Sequence, residues 1–370
     1  MVAGVAVHRR RRRAQPDRDR VHGGDLRPGP VRGLQQAHGA LPRRRDRLRD
    51  EGADPVTVLV TGGAGFLGRP LVRRLAGLGE RVVSFDRLSG GSLPPSVTQV
   101  AGDITDGSHL EHVLRTYAVT EVVHAAAVVG VTASVAGLPA AVNVNVDGAV
   151  ALFEAVCRAG GVRRVVDLSS EETYGHFARD PIREDDPALP VSPYGITKYA
   201  VERLGEYYAD QQGLPYAAVR LCWVYGPGFP RRRLPHPWLQ DAAAGRASRL
   251  AHGGDQRIDF TYVDDVIDGI LLVLQAGRLG HRAYNIATGH AVDMRELAAE
   301  IARLRPGWQV DLGGGPLEMA PGVTAARKGA LDITRARALG YTPRVPLAEG
   351  LARTLADLET GHPLTQGSNP

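Results

Sequence analysis

Lysine is nearly absent from this 370-residue chain: of 45 Lys plus Arg residues, only Lys198 and Lys328 are lysine. Guanidinium serves wherever a positive charge is enough, so Lys198 stands out as a position that needs a compact ammonium with three rotatable donors. Cysteine is equally scarce. Cys157 and Cys222 are too few for a disulfide scaffold, and nothing around them has zinc-ligand spacing, so no metal site is expected. The chain shows no signal-peptide apolar core, no membrane-length run and no internal repeat, which points to a cytoplasmic protein without membrane contact. The formal net charge of +5 is unevenly spread. Residues 1–54 hold 14 Arg, including Arg9–Arg13 and Arg43–Arg45, against 7 Asp plus Glu, which leaves 31 basic and 33 acidic residues elsewhere. That segment has scattered Gly, Pro, Gln and His and no sustained apolar period. It reads as a disordered extension with no selected role rather than as an arm for nucleic acid.

Lys198 follows Tyr194 by four residues in Tyr194-Gly195-Ile196-Thr197-Lys198, and residues so spaced are neighbours on a helix face. A cation beside a phenol favours the phenolate and makes it a usable base. The second signal is glycine. Val56-Thr57-Val58-Leu59-Val60 is an apolar run of strand length, followed by Thr61-Gly62-Gly63-Ala64-Gly65-Phe66-Leu67-Gly68. A helical pattern then carries Leu67, Leu71, Leu75 and Leu78 on one side. Strand, glycine turn and helix form the context of a dinucleotide fingerprint, in which the backbone approaches a pyrophosphate and the helix start offers unpaired N–H groups. Arg81–Asp86 reads as the next strand and ends in a carboxylate suited to the ribose 2′-OH of NAD. Arg87 suits the 2′-phosphate of NADP, but Asp86 makes NAD the expected cofactor.

Strands are further expected at 97–103, 121–127, 164–170 and 216–221, alternating with helices near 106–116, 139–159 and 193–212. Such alternation predicts an α/β fold: a Rossmann-like, doubly wound parallel sheet whose ligands lie beyond the strand C-termini. Beyond about 225, Pro- and Gly-rich loops interleave with shorter elements, including helices near 264–276 and 293–304. The expected organisation is an extension over 1–54, an NAD-binding domain over 55–224, a smaller mixed α/β substrate lobe over 225–360 with some elements returning to the main sheet, and a tail over 361–370.

From Val56 to about Thr354 the chain resembles the extended short-chain dehydrogenase/reductase family, in its nucleotide-sugar epimerase and dehydratase branch. The matching segments include Thr61 to Gly68, Gly102-Asp103-Ile104, His124 to Ala127, Asn145 to Gly148, Ser169 to Gly175, Tyr194 to Lys198, Val224 to Pro227 and Asp259 to Asp265. The resemblance implies an NAD enzyme that keeps its cofactor through the cycle, acts on a nucleotide sugar and forms a homodimer. Gly62, Gly65, Phe66, Leu67 and Gly68 would hold the cofactor with Tyr194 and Lys198. Asp103 and Ile104 would flank the adenine, Ala125, Ala126 and Ala127 would line the ribose side, and Asn145 would order the site. Ser170 would hydrogen-bond the substrate C4 hydroxyl that Tyr194 deprotonates while hydride leaves for NAD.

The two residues after Ser170 decide the fate of the oxidised sugar. Small residues there resemble simple 4-epimerases, whereas Ser170-Glu171-Glu172 resembles the Thr-Asp-Glu of 4,6-dehydratases and the Thr-Ser-Glu of decarboxylases. Once C4 is a ketone, Glu172 can remove the acidic C5 proton and Glu171 can protonate a departing hydroxyl. If the strand continued through them, however, alternation would turn the two glutamates to opposite faces. The sequence departs from the family at two places. Trp223 replaces an asparagine before Val-Tyr-Gly-Pro, and Ile258 separates Arg257 from the Asp-Phe motif, turning Arg257 from its usual diphosphate contact. Arg257 stays a candidate for the substrate site, with Arg231-Arg232-Arg233 and Arg327 as candidates to make up for that contact and Trp223 to stack on a base or an aromatic substrate. These departures favour the alternative of a net NAD(P)-dependent dehydrogenase or ketoreductase on a substrate without a nucleotide. A dinucleotide sensor would leave Tyr194 and Lys198 unexplained.

Overall fold

The computed structural model describes residues 56–88, 93–320 and 322–360; the 1–54 extension and the 361–370 tail lie outside them. In chain order the first half contains β1 (Thr57–Thr61), α1 (Gly68–Gly77), β2 (Arg81–Asp86), β3 (Val97–Ala101), α2 (Gly107–Thr116), β4 (Glu121–His124), α3 (Val131–Ala136), α4 (Leu138–Val142), α5 (Gly148–Ala159), β5 (Arg164–Ser170), α6 (Pro193–Gln212) and β6 (Tyr216–Leu221). The second half contains β7 (Trp223–Tyr225), α7 (His236–Ala243), β8 (Ser248–Leu250), β9 (Phe260–Tyr262), α8 (Val263–Gln275), β10 (Ala283–Ile286), α9 (Met294–Leu304), β11 (Val310–Leu312), β12 (Glu318–Ala320), β13 (Val323–Thr324), α10 (Thr334–Ala338) and α11 (Leu347–Glu359).

Seven parallel strands form one sheet in the order β3-β2-β1-β4-β5-β6-β10. Its central strands are apolar on both faces because helices cover both. Leu59, Val122 and Val165 pack with Leu114, Leu152 and Phe153 on one side. Val58, Val60, Val123 and Val166 pack with Leu71, Leu75, Ile270 and Leu274 on the other. The doubly wound Rossmann-like sheet is therefore present, and β10 supplies its last strand from well beyond residue 224. The remaining short strands pair as β7 with β9 and β8 with β11, parallel, and β12 with β13, antiparallel. Asp259 ties this second half together. Its buried carboxylate accepts hydrogen bonds from Thr288 N (3.0 Å), Gly289 N (2.9 Å) and Leu331 N (3.4 Å), joining the start of β9 to two distant loops.

Two findings correct the sequence expectations for 139–159. The stretch is interrupted by a π turn over Asn143–Asp147, whose extra residue per turn re-aims the side chains it carries. It is also a membrane-length run by length and composition, Leu138–Ala159. In the fold it is a packing helix, with Leu152, Phe153, Ala155 and Val156 buried against the sheet.

Candidate active site

The strand order reverses between β1 and β4, and a cavity of about 930 Å³ lies beyond the C-terminal ends of these strands. Close backbone approach shapes its floor. Gly62 has φ +69°, and a Cβ there would stand 2.7 Å from the carbonyl carbon of Ala125; one on Gly68 would stand 2.1 Å from the Gly62 oxygen. The start of α1 has no side-chain cap and no acid in its first turn; Arg69 N donates to Gly65 O (3.0 Å) and Pro70 has no N–H, so the N–H groups of Phe66, Leu67 and Gly68 are those left for an anion. Asp86 fixes the glycine loop to the end of β2 by accepting from Ala64 N (3.0 Å) and Leu88 N (3.1 Å). Asp103 accepts from Thr105 N (2.9 Å) and Oγ1 (2.8 Å), and these hydrogen bonds hold its carboxyl below the usual range. Every cofactor residue named from the sequence lines this cavity except Asn145. The π turn points Asn145 inward instead. Its Nδ2 donates to Val128 O (3.1 Å) and Thr197 Oγ1 (3.0 Å) and its Oδ1 accepts from Val128 N (2.7 Å), so it braces the β4 loop against α6 rather than meeting a cofactor. Glycine cradle, uncapped helix start and acid at the end of β2 fit NAD.

Helix α6 presents Tyr194 and Lys198. Ser192 caps it, accepting from Gly195 N (3.1 Å), Pro193 opens it, and Gly213 at φ +70° closes it. Tyr194 and Lys198 are both buried and both line the cavity. Beneath Lys198 lies a polar layer absent from the sequence expectations: Thr61, His124 and Asp167 stand side by side in register across β1, β4 and β5. Thr61 Oγ1 is 2.8 Å from His124 Nδ1. Burial, aided by Lys198, pushes His124 down to about 3, so the ring is neutral. Burial pushes Asp167 up to about 6, with Lys198 opposing; one of its oxygens accepts from Tyr216 Oη (3.3 Å) and the other has no partner.

Strand β5 ends at Ser170, and residues 171–174 turn as a 3₁₀ helix. Alternation therefore stops before the two glutamates, and Glu171 and Glu172 both line the cavity. Their surroundings differ. Glu171 is enclosed with Oε2 lacking any partner, and burial pushes its carboxyl up to about 7, with Lys328 opposing. Glu172 is ion-paired to Lys328 (3.2 Å) and accepts from Ser192 Oγ (3.1 Å). Ser170 Oγ accepts from Glu172 N (3.2 Å). Lys328 carries no site expectation from the sequence, although its rarity marks it as clearly as Lys198.

The family model described as NAD dependent epimerase/dehydratase family matches residues 58–287. The chain belongs to that family. It is similar to a UDP-glucose 4-epimerase of Mycolicibacterium smegmatis, 35% identical over 80% of this chain and 96% of that one. It is also similar to a dTDP-glucose 4,6-dehydratase of Streptomyces griseus, 32% identical over 81% of this chain and 93% of that one. Among solved structures it resembles the dTDP-glucose 4,6-dehydratase DesIV of Streptomyces venezuelae with NAD bound, with a TM-score of 0.73 and 31% identity over 83% of this chain and 98% of that one. The protein is thus an NAD-dependent enzyme of the epimerase/dehydratase type.

In this epimerase/dehydratase the far wall of the cavity is cationic. Trp223, Arg231, Arg232 and Arg233 line it, whereas Arg257 and Arg327 do not. Arg257 is exposed and pairs with Asp180 while donating to Ala291 O (2.9 Å). The exposed Arg327 has its side chain near Phe177 O (3.5 Å). Both assignments to substrate are corrected by these placements. Arg231 donates to Val129 O (3.0 Å) beside Gly130. Arg233, unassigned by itself from the sequence, lies over the Trp223 ring at 4.6 Å and the Phe229 ring at 5.3 Å with Nε unpartnered. Burial, then Arg231, pushes it down to about 9. Trp223 is only 5% exposed and covered by that guanidinium, so it supports the arginine rather than stacking on a base.

Proposed function

We propose that the protein is a nucleotide-hexose 4,6-dehydratase. The observation that carries this reading is the pair of unlike carboxyls at the end of β5: one buried and pushed toward its protonated form, one ion-paired and able to take a proton, both lining the cavity with Tyr194. NAD, when bound over the glycine loop, supplies the hydride acceptor and donor. Tyr194, beside the Lys198 ammonium, removes the C4 hydroxyl proton while Ser170 orients that hydroxyl. Glu172 then takes the C5 proton made acidic by the C4 ketone, Glu171 protonates the C6 hydroxyl so that it leaves as water, and Glu172 returns its proton to C5 as the hydride taken from C4 is delivered to C6. Arg231, Arg232 and Arg233 provide cations for the diphosphate. A second copy is expected against α4 and α6, where Leu138, Val142, Ile196 and Tyr207 are exposed. The free thiols of Cys157 and Cys222 fit a reducing, cytoplasmic compartment.

The test is mass analysis of dTDP-glucose and UDP-glucose after incubation with purified protein. Loss of one water is expected, without consumption of added cofactor. An unchanged mass with an altered sugar means a 4-epimerase, and consumption of added NAD(P)H means a net dehydrogenase or reductase. Glu172→Gln should stop after C4 oxidation, with absorbance in the reduced-nicotinamide band rising and staying high. The rate of water loss should fall by a factor on the order of 10² to 10⁴. Turnover by this variant at the normal rate would show that Glu172 is structural.

A further inference from the structure

We infer that Lys328 is the positioning residue for the C5 base Glu172, fixing the orientation with which that carboxylate meets the substrate; this rests on the dehydratase reading above. Lys328 comes from a segment 156 residues further along the chain, yet its side chain is 2% exposed and ends 3.2 Å from Glu172 Oε1. It donates to the Glu171 carbonyl (3.4 Å) and lies over the Phe177 ring at 5.2 Å. Ser192 holds the opposite oxygen of Glu172. The carboxylate is therefore gripped at both oxygens, by an ammonium on one side and by the cap of the Tyr194 helix on the other.

The backbone that delivers Lys328 is itself fixed. Phe177 N donates to Arg327 O (2.9 Å), Ile182 N to Ala330 O (2.9 Å) and Ala330 N to Asp180 Oδ1 (2.8 Å). A Cβ on Gly329 would stand 2.5 Å from the Asp180 carboxyl carbon, so the next residue has no room for a side chain. The ammonium thus arrives through an ordered segment and meets three fixed groups: a carboxylate, a carbonyl and a ring face. A broad planar guanidinium would not meet all three from that place, which accounts for a lysine in a chain that otherwise uses arginine. Lys328 does not line the cavity. Its influence must pass through Glu172.

The experiment compares wild type, Lys328→Met, Glu172→Gln and the double variant, using whichever of dTDP-glucose and UDP-glucose the wild type dehydrates. Lys328→Met should oxidise C4 and accumulate reduced-nicotinamide absorbance as Glu172→Gln does, with water loss slowed by about 10-fold to 10³-fold, below or near the loss of the base itself. The double variant should be no slower than Glu172→Gln within about 2-fold, because a residue acting through Glu172 has nothing further to lose. It should also melt higher than Glu172→Gln, which leaves a buried ammonium without its carboxylate. That comparison holds even if Lys328→Met alone folds poorly, and Lys328→Gln, which keeps a donor for the Glu171 carbonyl, then replaces it. Normal turnover by Glu172→Gln removes the reading on which this inference rests. A blocked Glu172→Gln beside an unimpaired Lys328→Met, or a double variant slower by the product of the two single effects, overturns the role of Lys328 alone.

Discussion

Replacing Glu171 by glutamine should raise the melting temperature at alkaline pH and leave it unchanged at acid pH. An unfolded glutamate releases its proton near an ordinary 4.5, whereas burial holds the folded Glu171 proton up to about 7, against the pull of Lys328 and with the help of Glu172. Below about 4.5 both states are protonated and the residue is neutral in the balance. As pH rises toward 7 the unfolded chain gains freely from ionisation while the folded chain cannot, so stability is progressively lost. At 1.36 kcal/mol for each pH unit between those values the loss levels off at about 3 kcal/mol. Glutamine keeps the shape and has no proton to lose. At about 2 °C per kcal/mol, the variant should melt within error of wild type at pH 4.5 and about 6 °C higher at pH 8.5. Titrating groups that do not interact with Glu171 are common to both proteins and cancel in the difference. Thermal melts across that range are the assay, read beside water loss, which should fall in the variant because the acid is gone. Parallel melting curves would mean that Glu171 is already ionised in the fold, and a residue without a proton cannot expel the C6 hydroxyl.

Tyr194→Phe should keep its fold and bound NAD yet form no reduced cofactor on substrate addition, with turnover down by a factor on the order of 10² to 10⁴. Lys198→Arg should also be impaired, since a guanidinium must fit a buried site beside the neutral His124 ring; full activity in either variant refutes the proton-transfer assignment. Gly68→Ala should purify with less NAD and melt lower, because its methyl would stand 2.1 Å from the Gly62 oxygen and the loop must move; cofactor content measured after denaturation at the wild-type level would contradict this.

The elements most legible in the sequence are those fixed by local chemistry. The strands at 81–86, 164–170 and 216–221 keep their expected bounds because each is a buried run between turn residues. Helix α6 keeps both ends because Ser192, Pro193 and Gly213 are local stop and start signals. Where the chain adds a residue per turn, local signals fail. Nothing in Asn143–Asp147 distinguishes a π turn from continuing helix, and so the inward aim of Asn145 is not visible in the residues. The same is true after Ser170: whether a strand continues or tightens into a 3₁₀ turn decides whether two adjacent glutamates share a cavity, and the residues allow both. Arg257 and Arg327 are a different case. The inserted Ile258 already signals that Arg257 turns from a diphosphate, but its pairing with Asp180, like the placement of Arg327 beside the 176–182 loop, exists only in three dimensions.

Lysine scarcity is a signal that does not depend on local structure, and it marks both lysines alike. Lys198 declares its role in the sequence because Tyr194 precedes it by four residues; Lys328 has no such neighbour, and its partners are supplied by the fold. Yet both ammoniums end buried, Lys198 lining the cavity and Lys328 behind Glu172, and each stands near a carboxyl that burial has pushed toward neutrality, Asp167 to about 6 near Lys198 and Glu171 to about 7 near Lys328. A guanidinium would need more room and a planar set of partners at either place, whereas an ammonium fits as a compact point charge. A compact ammonium in a site of low dielectric can oppose burial without overwhelming it, leaving each acid with a proton that moves near neutral pH. Chemistry that passes protons on and off a sugar in succession needs groups poised in that range, and the chain keeps lysine at the two positions that poise them.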